Sequence, residues 1–165
     1  MKVDKNLDIT SFHLPRWNEL PNIDLYLDQV VNLINSTLEI LNFDENNNGK
    51  LLTKSMINNY VKNGLVIAPE KKLYSRVQLA KLFVICVLKQ VYSMNEIKEL
   101  TEIALKDSSI EETYDTFCNL FEESLTNIFA NKQVQVANEN KKLYMIKSIL
   151  VSISYKIYVQ SLLLK

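Results

Sequence analysis

Apolar residues recur at helical spacing in the segment that begins at Thr53. Four of them fall at positions i, i+1, i+4 and i+5, which is the pattern of one buried helix face: Met56, Ile57, Tyr60 and Val61. Thr53 is a residue type favoured at the N-cap. Asn63-Gly64 predicts the end of the helix, because glycine readily adopts the left-handed conformation that follows many helices. The pattern therefore predicts a helix over residues 53–63.

The opposite face of this predicted helix is polar and carries no carboxylate. Its residues are Lys54, Ser55, Asn58, Asn59 and Lys62. Asparagine pairs with adenine edges, and lysine pairs with guanine edges or phosphates, so this face is a candidate for DNA contact. A solvated helix face is the ordinary alternative.

A β-branched run after the predicted helix indicates a small β-hairpin wing. Residues 65–67 are followed by a turn containing Pro69, and Leu73-Tyr74 returns along the run. Lysines at the tip of such a wing suit a phosphate backbone or a minor groove. The predicted backbone contacts of the wing region are Lys71, Lys72, Tyr74 and Arg76.

Further helices are predicted from apolar spacing and capping residues. Their ranges run from Asp24 to Asn42, from Ser75 to Val91, from Ser93 to Lys106, and from Ser108 or Ser109 to Asn131. Ser75 with Gln78, and Ser93 with Glu96, have the spacing of capping boxes. Phe12 to Pro21 is predicted to be an extended arm, because proline disfavours helix at the preceding residue.

The last predicted helix, Lys142 to Leu164, is apolar on most sides. Such a helix must be enclosed, either by the other helices of the same chain or by a second subunit. We expect a homodimer through the C-terminal helices. The apolar run from Ile149 to Leu164 is sixteen residues long and interrupted by polar residues, so we expect no membrane span.

Composition favours a mainly helical chain. Its 165 residues include two glycines and three prolines, fewer turn-forming residues than a sheet-rich fold needs. Hydrophobic residues make up 47%, enough to bury a core. Cys86 and Cys118 lie on apolar helical faces, so we expect buried free thiols in a cytoplasmic protein. The N-terminal residues are polar and predict no signal peptide.

Charge is distributed unevenly along a chain whose net charge is zero. Residues 1–49 hold three Lys/Arg and eight Asp/Glu, a net −5, whereas residues 50–81 hold seven and one, a net +6. Residues 82–165 hold nine and ten, a net −1. A single basic block in a neutral protein predicts a surface that attracts a polyanion.

No pattern of catalytic or metal-binding residues is present. Glycine occurs only at positions 49 and 64, which rules out a Gly-rich phosphate loop, and His13 is the single histidine. Residues 44–49 resemble the start of a calcium loop, but Ser55 stands where that loop needs a bidentate Glu. We therefore expect no enzyme activity, no cofactor and no metal site.

Residues of the basic block and of the two predicted helices that follow also resemble a known DNA-binding fold. A spaced set follows the order of a MerR-like winged helix-turn-helix: Thr53, Ile57, Tyr60, Gly64-Leu65, Pro69, Tyr74, Leu79, Leu82, Ile85, Ser93, Glu96-Ile97 and Leu100. With the preceding LPRWNELPNIDLYLDQVV, the stretch from about Phe12 to Leu100 resembles the uncharacterised bacterial family "domain of unknown function 1836". The resemblance implies a MerR-like DNA-binding fold and brings no established activity. Asn58 and Asn59 stand where MerR recognition helices commonly carry Arg-Tyr.

These observations predict three segments: an arm over 1–23, a winged helix-turn-helix over 24–106 and a helical dimerisation region over 107–165. The predicted function is a transcriptional regulator that binds double-stranded DNA through helix 53–63 and wing 66–76. The alternative is a protein–protein interaction module of the same fold that binds no DNA. A third possibility is a small-molecule pocket in the C-terminal helices, although core packing is the simpler explanation. Its lining would be aromatic: Tyr114, Phe117, Phe121, Phe129, Tyr144, Tyr155 and Tyr158.

Overall fold

Six α-helices and one short strand pair make up the part of the chain that the computed structural model describes, residues 8–43, 49–135 and 140–163. The helices are α1 (Leu27–Thr37), α2 (Lys54–Lys62), α3 (Arg76–Leu88), α4 (Met94–Leu105), α5 (Ile110–Phe129) and α6 (Lys141–Leu163). The strands are β1 (Leu25–Tyr26) and β2 (Leu73–Tyr74), paired antiparallel. Three 3₁₀ turns lie at Ile9–Ser11, Trp17–Glu19 and Glu39–Leu41. The predicted mainly helical fold with a small sheet and a long C-terminal helix is confirmed.

The central element is α3, which is buried on nearly every side. Nine of its residues are buried: Gln78, Leu79, Ala80, Leu82, Phe83, Ile85, Cys86, Val87 and Leu88. Helices α1, α5 and α6 contact α3 directly, and α4 packs against α5 and α6. The one polar residue of the set, Gln78, accepts from the Ser75 N–H at 2.7 Å and donates to the Ile67 carbonyl at 2.8 Å. Its burial therefore leaves no amide group unsatisfied.

The last helix was predicted to be enclosed, either by the other helices of the chain or by a second subunit. Within one chain, the structure covers only one face of α6. The inner face of α6 is buried through Ile146, Ile149, Leu150, Ile153 and Ile157, whereas its outer face exposes Tyr155 and Val159. Helix α5 provides most of the surface that α6 covers. The helix most completely enclosed within one chain is therefore α3.

Local capping chemistry sets several helix starts as predicted. Thr53 caps α2 by accepting from the Met56 N–H at 3.2 Å, and Ser109 caps α5 by accepting from Glu112. Both predicted capping boxes form, at Ser75 with Gln78 and at Ser93 with Glu96. These ends depend on residues three positions apart, which is why sequence alone reveals them.

Helix α1 starts later than predicted. We expected Asp24 as its N-cap, but the helix begins at Leu27 and ends at Thr37, followed by the 3₁₀ turn. The reason is that Leu25 and Tyr26 are held in an extended conformation by pairing with Tyr74 and Leu73. The Tyr26 N–H then donates to Gln29 Oε1 at 2.9 Å at the start of the helix.

The prediction that residues 65–67 pair with Leu73-Tyr74 to form a wing hairpin is wrong. Residues 65–67 do not pair with β2, which pairs instead with β1. The N–H groups of Gly64 and Leu65 donate back to Val61 and Tyr60 in a Schellman arrangement, with Gly64 at φ +75°. The Ile67 carbonyl is taken by Gln78. Several of the backbone groups that a hairpin would need, namely the N–H groups of Leu65 and Val66 and the Ile67 carbonyl, are therefore already bonded.

The N-terminal arm is tied to α5 by a set of polar contacts. Arg16 makes a bidentate ion pair with Glu122, in which both hydrogen bonds are 2.7 Å long. Glu122 also accepts a hydrogen bond from the Leu14 N–H at 2.7 Å. Tyr114 donates to the Pro15 carbonyl at 2.7 Å. His13 contacts Glu19 at 2.8 Å and Glu122 at 3.2 Å. The arm is therefore part of the packed structure.

One hydrophobic cluster joins the arm to the last helix. It includes Leu14 from the arm, Ile57 from α2, Phe83 from α3, Phe121 from α5 and Ile153 from α6. The three predicted segments thus share a core, and their boundaries as folding units stay a prediction.

The arm contact predicts an acid-sensitive stability. Burial opposes ionisation of Glu122, but the Arg16 hydrogen bond, the Leu14 N–H and the nearby positive charge outweigh it, so its pKa lies below the ordinary 4.5. The stabilisation is therefore present above that ordinary value and is lost as pH falls through the lowered pKa. Urea titrations across this acidic range should show a weaker loss of unfolding free energy in Glu122→Gln than in the natural chain.

Glu123→Gln is the matched control, because Glu123 is the exposed neighbour on the same helix. It should keep the pH dependence of the natural chain. Identical acid profiles for Glu122→Gln and the natural chain would show that the arm contact does not contribute.

Candidate nucleic-acid interface

Helix α2 is anchored to the core by its apolar side. Ile57 and Tyr60 are buried, and Met56 and Val61 pack partly against the same cluster. Burial raises the pKa of Tyr60 to about 12, so its phenol stays neutral. The two ends of α2 are capped by Thr53 and by the turn at Gly64. A nine-residue helix with both ends capped and one face buried presents its other face to solvent in a fixed orientation.

The exposed polar surface of α2, which we name the α2 face, comprises all five predicted residues: Lys54, Ser55, Asn58, Asn59 and Lys62. Lys54 forms an ion pair with Asp28 of α1. Asn59 accepts from Asn63 at 2.8 Å and donates to the Met94 sulfur at 3.7 Å. Among described residues, the side chains of Ser55, Asn58 and Lys62 make no hydrogen bond or ion pair. These three are therefore free to bind a partner.

A tight turn over Glu70–Leu73, which we name the Lys-Lys turn, presents the two wing lysines. The Leu73 N–H donates to the Glu70 carbonyl at 2.8 Å, and Lys71 and Lys72 have φ values of +48° and +65°. Positive φ at both central residues is the requirement of a type I′ turn, for which Asn-Gly is preferred. Two exposed lysines in left-handed conformation are unusual, since each costs about 1 kcal/mol relative to right-handed backbone.

Two of the predicted contact residues do not belong to the exposed surface. Tyr74 is only 4% exposed, and burial raises the pKa of its phenol. It lies in β2, paired with Leu25, and is part of the core. Arg76 is half-buried, with its guanidinium 5.7 Å from the centre of the Trp17 ring and its Nε 3.4 Å from the Pro21 carbonyl. Both side chains help to hold the arm and β2 to α3.

The basic block also contributes to a different feature, an apolar cavity. Lys81 of α3 lines this cavity, which lies between α3, α4, α5 and α6. Of the aromatic residues considered for a pocket, Tyr114 and Phe117 line it. Phe121, Phe129, Tyr144, Tyr155 and Tyr158 do not. No sequence pattern marked the cavity, because its walls come from four helices.

Nothing in residues 8–43, 49–135 and 140–163 forms a cluster of three or more His, Cys, Asp or Glu side chains suited to a metal. Of the loop considered for calcium, residues 44–49, positions 44–48 lie outside the described residues. Cys86 and Cys118 are free and buried, as predicted, and burial raises the pKa of each thiol to about 12. Neither thiol is therefore a ready nucleophile.

No helix in the described ranges is both long and apolar enough to cross a bilayer.

Comparison with known proteins gives one match. The family model described as "Domain of unknown function (DUF1836)" matches residues 15–117, more than half of the chain. The chain belongs to the DUF1836 family. The matched region of this DUF1836 protein runs from the arm through the first part of α5, and it includes the α2 face and the Lys-Lys turn. No curated protein and no solved structure matches the chain.

The Lys-Lys turn predicts a gain of stability when its lysines are replaced. Lys71→Asn with Lys72→Gly puts the preferred type I′ pair in the same backbone conformation. The free energy of unfolding should rise by about 1 kcal/mol, because the left-handed backbone is then adopted with less strain. Urea denaturation monitored by circular dichroism measures this change.

The control is the double variant Lys71→Arg, Lys72→Arg, which keeps both charges and both side-chain stems. Its stability should equal that of the natural chain. A loss of stability in the Asn-Gly variant would show that the turn is not strained.

Proposed function

We propose that this DUF1836 protein binds double-stranded DNA as a MerR-like winged helix-turn-helix regulator of transcription. The α2 face would lie in the major groove, and the Lys-Lys turn would contact the phosphate backbone. The contact residues would be Lys54, Ser55, Asn58, Asn59, Lys62, Lys71 and Lys72. Tyr74 is buried and Arg76 is half-buried against Trp17, so neither is among them.

The α2 face is the observation that carries this proposal. Its five exposed side chains include two cations and two amides, and no carboxylate occurs anywhere in α2. Amide and ammonium groups are the donors that read base edges and phosphates in DNA grooves. The firm anchoring of α2 supports a recognition role, because a rigid helix does not have to be ordered when it binds.

The order of elements gives further support to a winged arrangement. Helices α1 and α2 are followed by the Lys-Lys turn and β2, and then by α3 and α4. The pairing of β2 with β1 fixes the turn against the start of α1. Of the four non-glycine residues with positive φ in the described ranges, Lys71 and Lys72 are adjacent and exposed, whereas Asp107 and Asn131 follow the ends of helices. Backbone strain at two adjacent exposed lysines supports a function there, since strained residues persist mainly where function requires them.

A protein-interaction role without DNA is the second candidate. It is favoured by the side chain of Asn59, which is already engaged by Asn63 and Met94, and by the pairing of Lys54 with Asp28. These contacts reduce the number of groups on the α2 face that are free for bases. The two candidates differ in their dependence on salt and on the position of positive charge.

Fluorescence anisotropy with a labelled mixed-sequence duplex, and then with genomic fragments, tests DNA binding. The logarithm of the association constant should fall with the logarithm of salt concentration by about 0.9 for each phosphate neutralised. The Lys71→Asn, Lys72→Gly variant should reduce that slope by about 1.8, because two phosphate contacts are removed. No binding at low salt, or a salt-independent affinity, contradicts the proposal.

A charge-matched pair of quadruple variants separates the two candidates. Replacing Lys54, Lys62, Lys71 and Lys72 by Glu should abolish DNA binding. The control replaces four exposed lysines elsewhere by Glu, namely Lys89, Lys106, Lys132 and Lys141. It changes the net charge equally and should keep most of the affinity. Equal loss in both variants would mean that only overall charge mattered.

We also propose that the protein is a homodimer formed through α6. Exposed or half-buried residues recur along its outer side in steps of three and four, which we name the α6 stripe: Tyr144, Ser148, Val151, Tyr155, Val159 and Leu162. This is the spacing of a helix–helix seam. The stripe carries no charged residue, so two copies can meet without repulsion in an isologous contact.

Light scattering on the purified chain tests the dimer. Tyr155→Glu with Val159→Glu should give a monomer, because paired carboxylates would be buried in the seam. Tyr155 is 49% exposed and Val159 is 50% exposed, so the monomer should stay folded. Ile103→Glu, at a site on α4 that is 49% exposed, is the control and should leave the dimer intact. A monomeric natural chain would contradict the proposal.

A further inference from the structure

The cavity between α3, α4, α5 and α6 has a volume of about 220 Å³ and is partly open to solvent. Apolar side chains form most of its wall, among them Val84, Ile97, Ala104, Ile110, Phe117 and Met145. An empty apolar cavity costs stability, because its lining lacks contact partners on one side. Even an apolar cavity of about 150 Å³ accepts a ring the size of benzene. This cavity is therefore large enough for a short hydrocarbon chain.

Some polar side chains that line the cavity are already hydrogen-bonded within the protein, and others are free to bind a ligand. The Thr101 hydroxyl donates to the Ile97 carbonyl at 2.6 Å, and the Thr113 hydroxyl donates to the Ser109 carbonyl at 2.8 Å, so both serve their own helices. Lys81 and Lys98 also line the cavity, together with one carboxylate, Glu102. Within the described ranges, neither lysine forms an ion pair or a side-chain hydrogen bond. The available groups thus carry an excess of positive charge.

We propose that this cavity binds a small amphiphile with an apolar chain and a carboxylate head. The chain would fill the space between the helices, and the head would be held by the ammonium groups of Lys81 and Lys98. An acid of this kind satisfies both parts of the site: the apolar wall gains contacts, and the lysines gain a charge-assisted hydrogen-bond acceptor. A neutral or cationic head satisfies only the wall.

The site extends to the end of α2. Gly64 and Leu65, which terminate that helix in the Schellman arrangement, also line the cavity. A bound molecule would therefore touch the segment that fixes the C-terminal end of the α2 face. This inference goes beyond the proposed DNA binding, and its test contains no DNA, so either proposal can fail without the other.

Isothermal titration calorimetry on the full chain tests the site with three probes that share one tail: octanoate, octanol and octylamine. Octanoate should bind saturably at one site per chain and about tenfold more tightly than octanol, the factor expected for a charge-assisted contact. Octylamine should bind more weakly than octanol. Equal affinities for octanoate and octanol would overturn the assignment of the head group, and absence of saturable binding would overturn the site.

Substitutions at the cavity test whether the probes bind there. Lys81→Gln with Lys98→Gln should remove the preference for octanoate over octanol, whereas Lys89→Gln, an exposed position that does not line the cavity, should keep it. Ala104→Phe fills the cavity and should weaken all three probes. The lysine variants alter a half-buried and an exposed position, so they test the site even if Ala104→Phe fails to fold. Octanoate affinity unchanged by the lysine pair would overturn the proposal.

Discussion

The burial of α3 is the constraint that determines where the other elements lie. Its side chains are apolar around most of the helix, and a helix of this kind is stable in water only when it is covered on every side. Helices α1, α5 and α6 contact it, and α4 completes the bundle against α5 and α6. Helix α2 joins the same cluster through Ile57 and Tyr60. With these two residues buried, the polar side of α2 faces solvent.

The N-terminal arm connects this bundle to the candidate DNA surface. At one place it is tied to α5 by the Arg16–Glu122 ion pair. At another, Trp17 lies under the Arg76 guanidinium at the start of α3, and its ring also makes an edge contact with Tyr114, 6.5 Å between centres. Farther along, β1 pairs with β2 and so holds the Lys-Lys turn. Arg76, through Trp17, and Tyr74, through its pairing with Leu25, therefore help to position the candidate surface.

Local chemistry explains which features sequence predicted well. Thr53, the Ser75–Gln78 and Ser93–Glu96 boxes and Gly64 act over three or four residues, so the capping of α2, α3 and α4 could be predicted. The five exposed residues of the α2 face follow from helical periodicity once those ends are known. Sequence therefore predicted the polar surface of α2 residue by residue.

Contacts between distant segments explain the errors. The pairing of Leu25 with Tyr74 joins residues far apart in the chain. Because of this pairing, α1 begins at Leu27 and not at Asp24, and β2 pairs with β1 and not with residues 65–67. The placement of the Arg76 guanidinium over the Trp17 ring is equally remote in sequence, so its contact with the arm was not predicted. Helices α3 and α6 both have apolar residues on most sides, and only the packing shows that α3 is the more completely enclosed of the two. The cavity needs four helices and has no pattern of its own.

We propose DNA contact at the α2 face and the Lys-Lys turn. Two-dimensional amide NMR of the labelled protein, titrated with a short duplex at low salt, tests it most directly. We expect the largest chemical-shift changes at residues 54–62 and 71–72, with the amides of the α6 stripe unchanged by DNA. Chemical-shift changes concentrated on α5 or α6, or no changes at saturating duplex, would contradict the proposed location of the DNA contacts.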